Sequence, residues 1–410
     1  MNSPEEDGSV GLAAAVVLVA INLRLVIASL GPELDNVRAG LGLSSAATSV
    51  LTALPVFCFG VLALVGPVVS HRLGLRRALL LVLAMLTAGS VLRIGPDAVT
   101  LFAGTLLAAA GIAIANVLMP VVARREFPRR TGLMLGLSTT ATIGSVALAG
   151  GLTVPIADAL DAGWRAGLGI WAALSGLTLL VWLPFAWRRP LRDEGEAPRL
   201  TRAVLRSPLA WMITVFFGLQ SLNVYVVVNW LPSIYQDHGY SDSKAGGLLA
   251  LLVLIQLPVA LVVPSLASRL ARQHLLVSAI VASSAVGFLG ILLSPTRPAL
   301  LWLVFLGFGQ GAAFPWTLVM LVLRARTHAA TAQLSTMMQS IGYVIAGVGP
   351  LAFGALHAVT NSWRGPLVFV LALLVPELIV GLRAAAPGYV ELDDAARVDT
   401  TTHRTSARRQ

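Results

Sequence analysis

The fold of this chain is decided by the stretch Leu12-Ala-Ala-Ala-Val-Val-Leu-Val-Ala-Ile-Asn-Leu-Arg24-Leu-Val-Ile-Ala28. It belongs to an apolar run over residues 11–31, which is long enough to span a bilayer as a helix. An ionised guanidinium near the middle of such a helix is costly in lipid, and arginine keeps its proton in proteins. We therefore expect Arg24 to face an aqueous cavity and to bind something negative or strongly polar.

The composition indicates a membrane protein that crosses the bilayer several times. Of its 410 residues, 57% are hydrophobic and 12% are charged, whereas soluble domains average about 25% charged residues. The net charge of +10 comes from arginines in short clusters between apolar runs, a pattern that reports topology and not nucleic-acid binding. Cys58 is the one cysteine, so no intrachain disulfide can form, and we expect it to pack in an apolar setting.

Twelve apolar runs predict an all-α membrane protein with twelve transmembrane helices. Strands of a membrane barrel would be about ten residues long with alternating polarity, and the chain has no such pattern. The runs lie at residues 11–31, 45–69, 78–94, 99–123, 132–155, 165–187, 208–232, 243–267, 275–294, 299–323, 332–356 and 365–383.

Arginines concentrate in alternate loops, which predicts the orientation of the chain. Because basic loops stay in the cytoplasm, both termini and the central loop are expected there. The N-terminus lacks the basic region of a cleaved signal peptide, so the first span is expected to be retained. The predicted parts are an N-terminal segment at 1–10, a six-helix bundle at 11–187, a cytoplasmic loop at 188–207, a second bundle at 208–383 and a cytoplasmic, disordered tail at 384–410.

An internal repeat relates the two predicted bundles. Three landmarks recur in register across about half of the chain, which indicates a duplicated unit of six helices. Two parallel six-helix repeats are the architecture of major facilitator transporters. The matching pairs are Gly42-Leu-Ser44 with Gly239-Tyr-Ser241, Pro67-Val-Val-Ser-His-Arg72-Leu with Pro264-Ser-Leu-Ala-Ser-Arg269-Leu, and Trp164-Arg165 with Trp363-Arg364.

The loop after the second span resembles the signature loop of the major facilitator superfamily, Gly-x-x-x-Asp-Arg-x-Gly-Arg-Lys. Arg72, Gly74 and Arg76 occupy the arginine, the second glycine and the final basic position, while His71 replaces the aspartate. The resemblance implies a role in conformational change or topology for Arg72, Gly74 and Arg76, and not in substrate binding.

A narrower resemblance runs along most of the transmembrane region, through Asn22-Leu-Arg24, the second, fourth and seventh spans, and Trp230-Leu-Pro232. These segments are similar to the cyanate permease and 2-nitroimidazole transporter branch of the superfamily. The resemblance implies transport of small anionic or strongly dipolar molecules, cyanate-like or nitro-heteroaromatic, by alternating access around a central site.

Polar side chains within the spans are the candidate ligands of that site. Asn22 and Arg24 are two residues apart, about 200° around a helix, so Asn22 should point to neighbouring helices if Arg24 lines the cavity. The guanidinium suits carboxylate-like groups through paired hydrogen bonds. Amides equally often tie helices together, and that alternative stays open. The other predicted substrate-binding residues are Asn116, Gln220, Asn223, Gln310, Trp316, Gln339 and Tyr343.

Energy coupling has no obvious carrier, because no Asp or Glu is central in a predicted span. Glu33 follows the first span and Glu377 lies toward the cytoplasmic end of the twelfth. Three options stay open: the substrate carries the proton, the protein exchanges or equilibrates substrates, or one of these glutamates reaches the cavity. No metal-ligand cluster, phosphate-binding loop or nucleophile–base pair stands out, so we expect neither an enzyme nor a cofactor.

The leading hypothesis is a monomeric secondary transporter of a small polar solute, with the lipid bilayer as its other partner. It should reside in the cytoplasmic membrane of a bacterial cell. Two alternatives remain: a proton-coupled exporter of hydrophobic drugs, and a membrane sensor that shares the fold without moving a substrate.

Overall fold

Long apolar runs in this chain fold as helices, because a helix satisfies its backbone N–H and C=O groups internally where water is absent. The computed structural model describes residues 9–161, 163–187 and 201–390. Within them, twelve helical segments are long and apolar enough to cross a membrane, the number that the sequence predicts. The predicted N-terminal segment up to residue 8, the loop residues 188–200 and the tail from 391 lie outside the described residues.

The described helices fall into an N-terminal and a C-terminal half. Those of the N-terminal half are α1 (Val10–Ala28), α2 (Leu34–Leu41), α3 (Ser45–Leu62), α4 (Gly66–Leu73), α5 (Leu75–Arg93), α6 (Ala98–Glu126), α7 (Thr131–Ala159) and α8 (Gly163–Ala186). Those of the C-terminal half are α9 (Arg202–Arg206), α10 (Pro208–Asp237), α11 (Asp242–Arg269), α12 (Gln273–Leu293), α13 (Ala299–Leu323), α14 (His328–Thr360) and α15 (Arg364–Ala385).

Two proline positions explain where the helices depart from the predicted runs. The second span breaks at a 3₁₀ turn, Ala63–Val65, and continues as α4 with Pro67 in its first turn. Proline lacks the N–H that a helix interior requires, so it begins a helix more readily than it continues one. Gly31 and Pro32 likewise follow the end of α1, and the short helix α2, which the sequence did not predict, begins after them.

The connections between spans lie on two faces, because successive spans run in opposite directions. The face that is rich in arginine is called the basic face here, and the other is called the opposite face. Connections on the basic face include residues 74, 127–130, 270–272 and 324–327; connections on the opposite face include residues 94–97, 238–241, 294–298 and 361–363.

A tryptophan contact on the opposite face recurs in both halves, as a duplicated unit requires. The indole Nε1 of Trp363 donates a hydrogen bond to Asp237 Oδ2 at 2.9 Å. In the N-terminal half, a Cβ added to Gly40 would lie 2.8 Å from Nε1 of Trp164. Positions 40 and 237 are 197 residues apart, the same offset as the sequence landmark that follows them. The two halves therefore share register in space as well as in sequence.

Small residues allow α5 and α6 to cross closely within the N-terminal half. A Cβ on Gly104 would lie 2.5 Å from the carbonyl oxygen of Gly89 and 2.7 Å from the backbone nitrogen of Arg93. A Cβ on Gly89 would in turn lie 2.7 Å from the backbone nitrogen of Ala108. These neighbours are backbone atoms, so they cannot move aside as a flexible side chain would.

Gly104→Leu is expected to destabilise the protein by about 3 kcal/mol or more, the upper range for an overpacked site, because the helices must separate to admit the side chain. Thermal unfolding in detergent measures the loss. Gly150→Leu is the matched control, since a Cβ at Gly150 meets nothing within 4 Å. Equal unfolding temperatures for the two variants would contradict the close crossing.

Candidate functional site

Arg24 of α1 lies between the two halves of the protein and is half-buried. Its Nη1 is 3.4 Å from the hydroxyl of Tyr225 on α10, and its Nη2 is 3.4 Å from the hydroxyl of Tyr343 on α14. Both distances exceed the usual 2.7–3.2 Å range, so these hydrogen bonds are weak. In the described part of the chain, Arg76 forms an ion pair with Glu126, and no carboxylate forms one with Arg24. The charge of Arg24 is therefore met by two loosely held hydroxyls and not by a carboxylate.

Aromatic rings from both halves surround this guanidinium. The Cζ of Arg24 lies 5.5 Å from the ring centroid of Phe59 on α3, a cation–π distance. The Phe59 ring is 5.3 Å from that of Tyr343, and Phe217 meets Tyr343 edge-on at 5.3 Å. Phe314 on α13 extends the wall, with its ring 6.0 Å from Phe217. This arrangement suits a small, flat group that accepts hydrogen bonds from Arg24 and packs against an aromatic ring.

Gln339 and Asn116 lie near this group and join α14 to α6. Gln339 is one helical turn before Tyr343 and so shares its face. Its Nε2 donates to the backbone carbonyl of Asn116 at 2.8 Å and to Ser335 Oγ at 3.0 Å. The side-chain Nδ2 of Asn116 is buried and has no hydrogen-bond partner. Gln339 is thus engaged in linking helices, while the side chain of Asn116 retains a free hydrogen-bond donor.

Four predicted ligands make their recorded contacts within the C-terminal half and not with Arg24. Gln220 Nε2 donates to the Phe217 carbonyl and to Ser221 Oγ. Asn223 bonds Glu377, and Gln310 bonds the backbone carbonyl of Asn223. Trp316 is fully buried, packs edge-on against Phe216 and donates to Gln273 Oε1 on α12. We leave these four out of the candidate site, because none of them contacts Arg24, although the side-chain oxygens of Gln220, Asn223 and Gln310 are buried without a partner.

Asn22 points away from Arg24, as the helix geometry predicts. Its Nδ2 donates to Thr178 Oγ1 on α8 at 2.9 Å, and its Oδ1 accepts from Ser175 Oγ at 2.7 Å. These bonds tie α1 to α8. Asn22 therefore lies on the side of α1 that packs against α8. Arg24 lies on the opposite side, which faces the C-terminal half.

Arg93 shows what a structural arginine looks like in this protein. It is 3% exposed, and its Nη1 donates to the backbone carbonyl of Val26 in a short hydrogen bond that joins α5 to α1. Its place at the end of a predicted span does not distinguish it in the sequence from the arginines of the loops. Arg24 differs from Arg93 because no backbone carbonyl accepts its recorded hydrogen bonds.

The two predicted coupling glutamates occupy different surroundings. Glu33 is buried at the start of α2 on the opposite face, where Asn36 Nδ2 donates to its Oε2 at 2.7 Å. Glu377 is buried within α15, where Asn223 Nδ2 donates to its Oε2 at 2.7 Å. Glu377 lies thirteen residues into a helix of 22 residues, so it is closer to the centre of the span than the sequence analysis placed it.

The loop after the second span forms an ion pair without the family's aspartate. Arg76 Nε and Nη2 donate to the two carboxylate oxygens of Glu126 at 2.9 and 2.7 Å. Gly74 has φ +81° and ends α4, a conformation that favours glycine, while Arg72 is exposed. Glu126 at the end of α6 is thus the carboxylate partner of Arg76. The two residues are 50 positions apart, and the sequence does not predict their pairing.

Arg124 joins the two halves on the basic face. Its Nη1 donates to Val322 O at 3.0 Å, Ala325 O at 2.5 Å and Thr331 Oγ1 at 2.7 Å, and its Nη2 donates to Arg326 O at 2.9 Å. Val322 lies in the last turn of α13, whose carbonyl groups form the negative end of the helix dipole. A cation from the N-terminal half therefore caps a helix of the C-terminal half.

Arg324, which directly follows α13, stays within its own half. It donates to the carbonyls of Ala384 and Ala385 at the end of α15, and burial there lowers the pKa of its guanidinium. The backbone N–H of Val390 donates to the Arg324 carbonyl at 2.8 Å. The last described residues of the chain are thus held against the loop that Arg124 binds.

Helices α7 and α11 meet near the basic face and part toward the opposite face. A Cβ on Gly132 would lie 2.9 Å from the Pro264 carbonyl oxygen, and one on Gly136 would lie 2.5 Å from that of Leu261. Farther along, a Cβ on Gly150 of α7 or on Gly246 of α11 meets nothing within 4 Å. The two halves are therefore in close contact on the basic side of Arg24, at the start of α7 and the end of α11, and no such contact occurs at Gly150 or Gly246.

Known proteins share this architecture and much of this sequence. Residues 12–350 match the profile of the Major Facilitator Superfamily. The chain belongs to this superfamily. This transporter is 34% identical over 376 residues to the 2-nitroimidazole transporter of Escherichia coli, a match that covers 91% of the chain and 95% of the relative. It is 32% identical over 378 residues to the cyanate transport protein CynX of Escherichia coli, covering 92% and 98%.

A solved structure supports the fold of this superfamily member. The proton:xylose symporter XylE superposes with a TM-score of 0.71 at 15% identity, covering 92% of the chain and 94% of XylE. The chain is therefore a membrane transporter with twelve helices in two six-helix repeats, related to bacterial nitroimidazole and cyanate transporters. Within the described residues, no group of three His, Cys, Asp or Glu side chains is placed to hold a metal ion.

Proposed function

We propose that this transporter moves a small planar anion or a strongly polar, nitro-heteroaromatic or cyanate-like solute by alternating access around Arg24. One observation carries the proposal: the guanidinium has no carboxylate partner among the described residues and is held by two hydroxyls at 3.4 Å. An ionised group in such a place needs a counter-charge, and a substrate that accepts paired hydrogen bonds supplies it.

The aromatic wall and the relatives favour the same substrate class. Phe59 lies at a cation–π distance from Arg24, and Tyr343 and Phe217 pack beside it as a buried aromatic cluster, a setting that suits a flat ring better than a flexible chain. Relatives named for 2-nitroimidazole and cyanate move small, flat, polar molecules. Asn116 Nδ2, buried without a partner, is a further free hydrogen-bond donor, on the helix that Gln339 contacts.

The orientation follows from the arginines of the loops. We place the basic face in the cytoplasm and the chain in the cytoplasmic membrane of a bacterial cell, with both termini inside. The bundles at 11–187 and 208–383 then rock as two units, and the protein works as a monomer. We infer that solute enters from the opposite face in this conformation, since Arg124 and the contact of α7 with α11 hold the two halves together on the basic face.

A panel of small molecules on purified wild-type protein tests this proposal. Cyanate, nitrate, 2-nitroimidazole and 4-hydroxybenzoate are compared with the lipophilic cation tetraphenylphosphonium, and the unfolding temperature is measured for each. We expect at least one of the first four to stabilise the protein, since a ligand that binds the folded state raises its stability. Stabilisation by the cation alone would favour the drug exporter and overturn the proposal.

Flux distinguishes a transporter of this substrate from a sensor. The stabilising compound is offered to proteoliposomes in radiolabelled form, with protein-free liposomes as the control for passive entry. Uptake above that control supports alternating access around the site. Stabilisation without any uptake would assign the protein to the sensor class instead.

A further inference from the structure

Glu377 is an ionisable group buried between helices of the C-terminal half. Its side chain is 2% exposed, and its Oε2 accepts one recorded hydrogen bond, from Asn223 Nδ2 on α10 at 2.7 Å. A single neutral amide donor does not replace the water that an ionised carboxylate loses on burial, and such groups within membrane spans commonly serve a function.

No cation faces Glu377 from the helices packed against α15, which are α10, α12 and α14. Arg383, on α15 itself, lies six residues away, about 9 Å along the helix axis. The remaining ionisable side chains of the four helices lie near helix ends or, in the case of two tyrosines, against Arg24. They are Tyr225, Tyr235 and Asp237 on α10, His274 on α12, His328, Tyr343 and His357 on α14, and Arg364 on α15.

Hydrogen-bond acceptors outnumber donors around this carboxylate. Asn223 Oδ1 is buried without a partner, although the other atom of the same amide bonds Glu377. Gln310 Nε2 donates to the Asn223 backbone carbonyl at 3.3 Å, and its own Oε1 is likewise buried without a partner. A proton on Glu377 adds a donor to this group and removes the buried charge at once.

The internal repeat shows that packing does not require a carboxyl group here. Glu377 lies fourteen residues after Trp363, and Thr178 lies fourteen residues after the equivalent Trp164. In the N-terminal half, the amide of Asn22 bonds the Thr178 hydroxyl and ties α1 to α8. The equivalent contact in the C-terminal half is the hydrogen bond from Asn223 to Glu377, which joins α10 to α15. A hydroxyl performs the packing role, so the carboxyl group adds an ionisable function to one copy of the repeat.

Helix α10 connects Glu377 to the site around Arg24. Asn223 and Tyr225 are two residues apart and so lie on nearly opposite sides of α10. One contacts Glu377 and the other contacts Arg24. We propose that Glu377 binds the proton whose movement is coupled to the substrate, and that α10 transmits changes between the two groups. This inference rests on the proposed transport function.

The proposed step is a proton transfer without further chemistry. A proton from water binds a carboxylate oxygen of Glu377 and neutralises it. The Asn223 amide then turns so that its Oδ1 accepts from the new O–H, and the proton returns to water on the other side after the halves have rocked. Glu33 is not chosen, because it lies at the start of α2 on the opposite face and not between two spans.

Proteoliposomes with an imposed pH gradient test the coupling, with 2-nitroimidazole and cyanate as the labelled probes. For one proton per substrate and a gradient of one pH unit, wild-type protein should accumulate the probe up to about tenfold. Glu377→Gln and Glu377→Thr should still be stabilised by the probe but only equilibrate it. The threonine variant reproduces the asparagine–threonine contact that joins Asn22 to Thr178 in the N-terminal half. Gradient-driven accumulation in either variant, or its absence in the wild type, would overturn the inference.

Infrared spectroscopy tests the proton at Glu377 without any substrate. Wild-type protein in liposomes should show the C=O band of a protonated carboxyl group that Glu377→Gln removes and Glu33→Gln retains. A band that survives in Glu377→Gln would assign the proton elsewhere. If no probe stabilises or enters with the wild type, the proposed transport function fails, while this spectrum still decides whether Glu377 holds a proton.

Discussion

Arg24→Ala is expected to weaken the binding of the stabilising anion by about 100-fold or more. Two hydrogen bonds to a charged group each contribute about 1.5–3 kcal/mol, and the variant loses both. The protein itself should stay folded, because no carboxylate among the described residues pairs with Arg24 and is left without its partner. Calorimetric or fluorescence titration of the purified protein measures the affinity, and the unfolding temperature without ligand measures the fold.

Two further variants make the Arg24 result specific. Arg24→Lys keeps the charge and loses the planar fork, so an intermediate loss of about tenfold is expected if paired hydrogen bonds matter. Arg72→Ala, which removes an exposed arginine of the basic face, should leave the affinity unchanged. Wild-type affinity in Arg24→Ala would show that the anion binds elsewhere.

Gly136→Leu is expected to reduce transport by more than tenfold by holding the basic face open. A Cβ at this position would lie 2.5 Å from the carbonyl oxygen of Leu261 on α11. That atom belongs to the backbone of the other half, so the side chain separates α7 from α11 where they now meet. An overpacked contact costs about 1–3 kcal/mol, which is enough to invert an equilibrium between two conformations that differ by a similar amount.

A cysteine on α14 reports the opening. Cys58 is the one native cysteine and is replaced by serine first. Ser335→Cys then places a thiol where the buried Ser335 hydroxyl bonds the Val117 carbonyl across the two halves. We expect faster labelling by a membrane-impermeant maleimide from the basic side in Gly136→Leu. Gly150→Leu is the control on the same helix, and wild-type transport by Gly136→Leu would show that this contact does not close the pathway.

The features that the sequence predicts well are those set by local chemistry. Twelve helices follow from twelve apolar runs, and the anomaly of Arg24 follows from its charge alone. The direction of Asn22 follows from helix geometry relative to Arg24. Each of these inferences compares residues on one helix, so no knowledge of its neighbours is needed.

The orientation of the other helices was harder to predict. Gln220 and Asn223 do share a face, but the recorded contacts of Asn223 are with Glu377 and Gln310. In a helix that is apolar on most sides and surrounded by lipid and protein, no polar stripe indicates which face meets the cavity. Trp316 presents the same difficulty, since a ring in an apolar span packs equally well on either side.

Contacts across the two halves were beyond the sequence altogether. Nothing in the sequence identifies Tyr225 as a neighbour of Arg24, 201 residues away. Arg124 resembled any other arginine of a basic loop, yet it binds carbonyls about 200 residues distant. For contacts within one half, the repeat carries a weak signal, because comparing Thr178 with Glu377 shows where the two copies differ.

The contact of Trp363 with Asp237 has a consequence for how this duplicated chain can diverge. At position 237, the indole N–H has gained a carboxylate acceptor. At position 40, even a methyl group would come within 2.8 Å of the indole nitrogen. The two copies of the repeat therefore accept different residues at the same register position: glycine fits beside Trp164, whereas an acidic side chain fits beside Trp363.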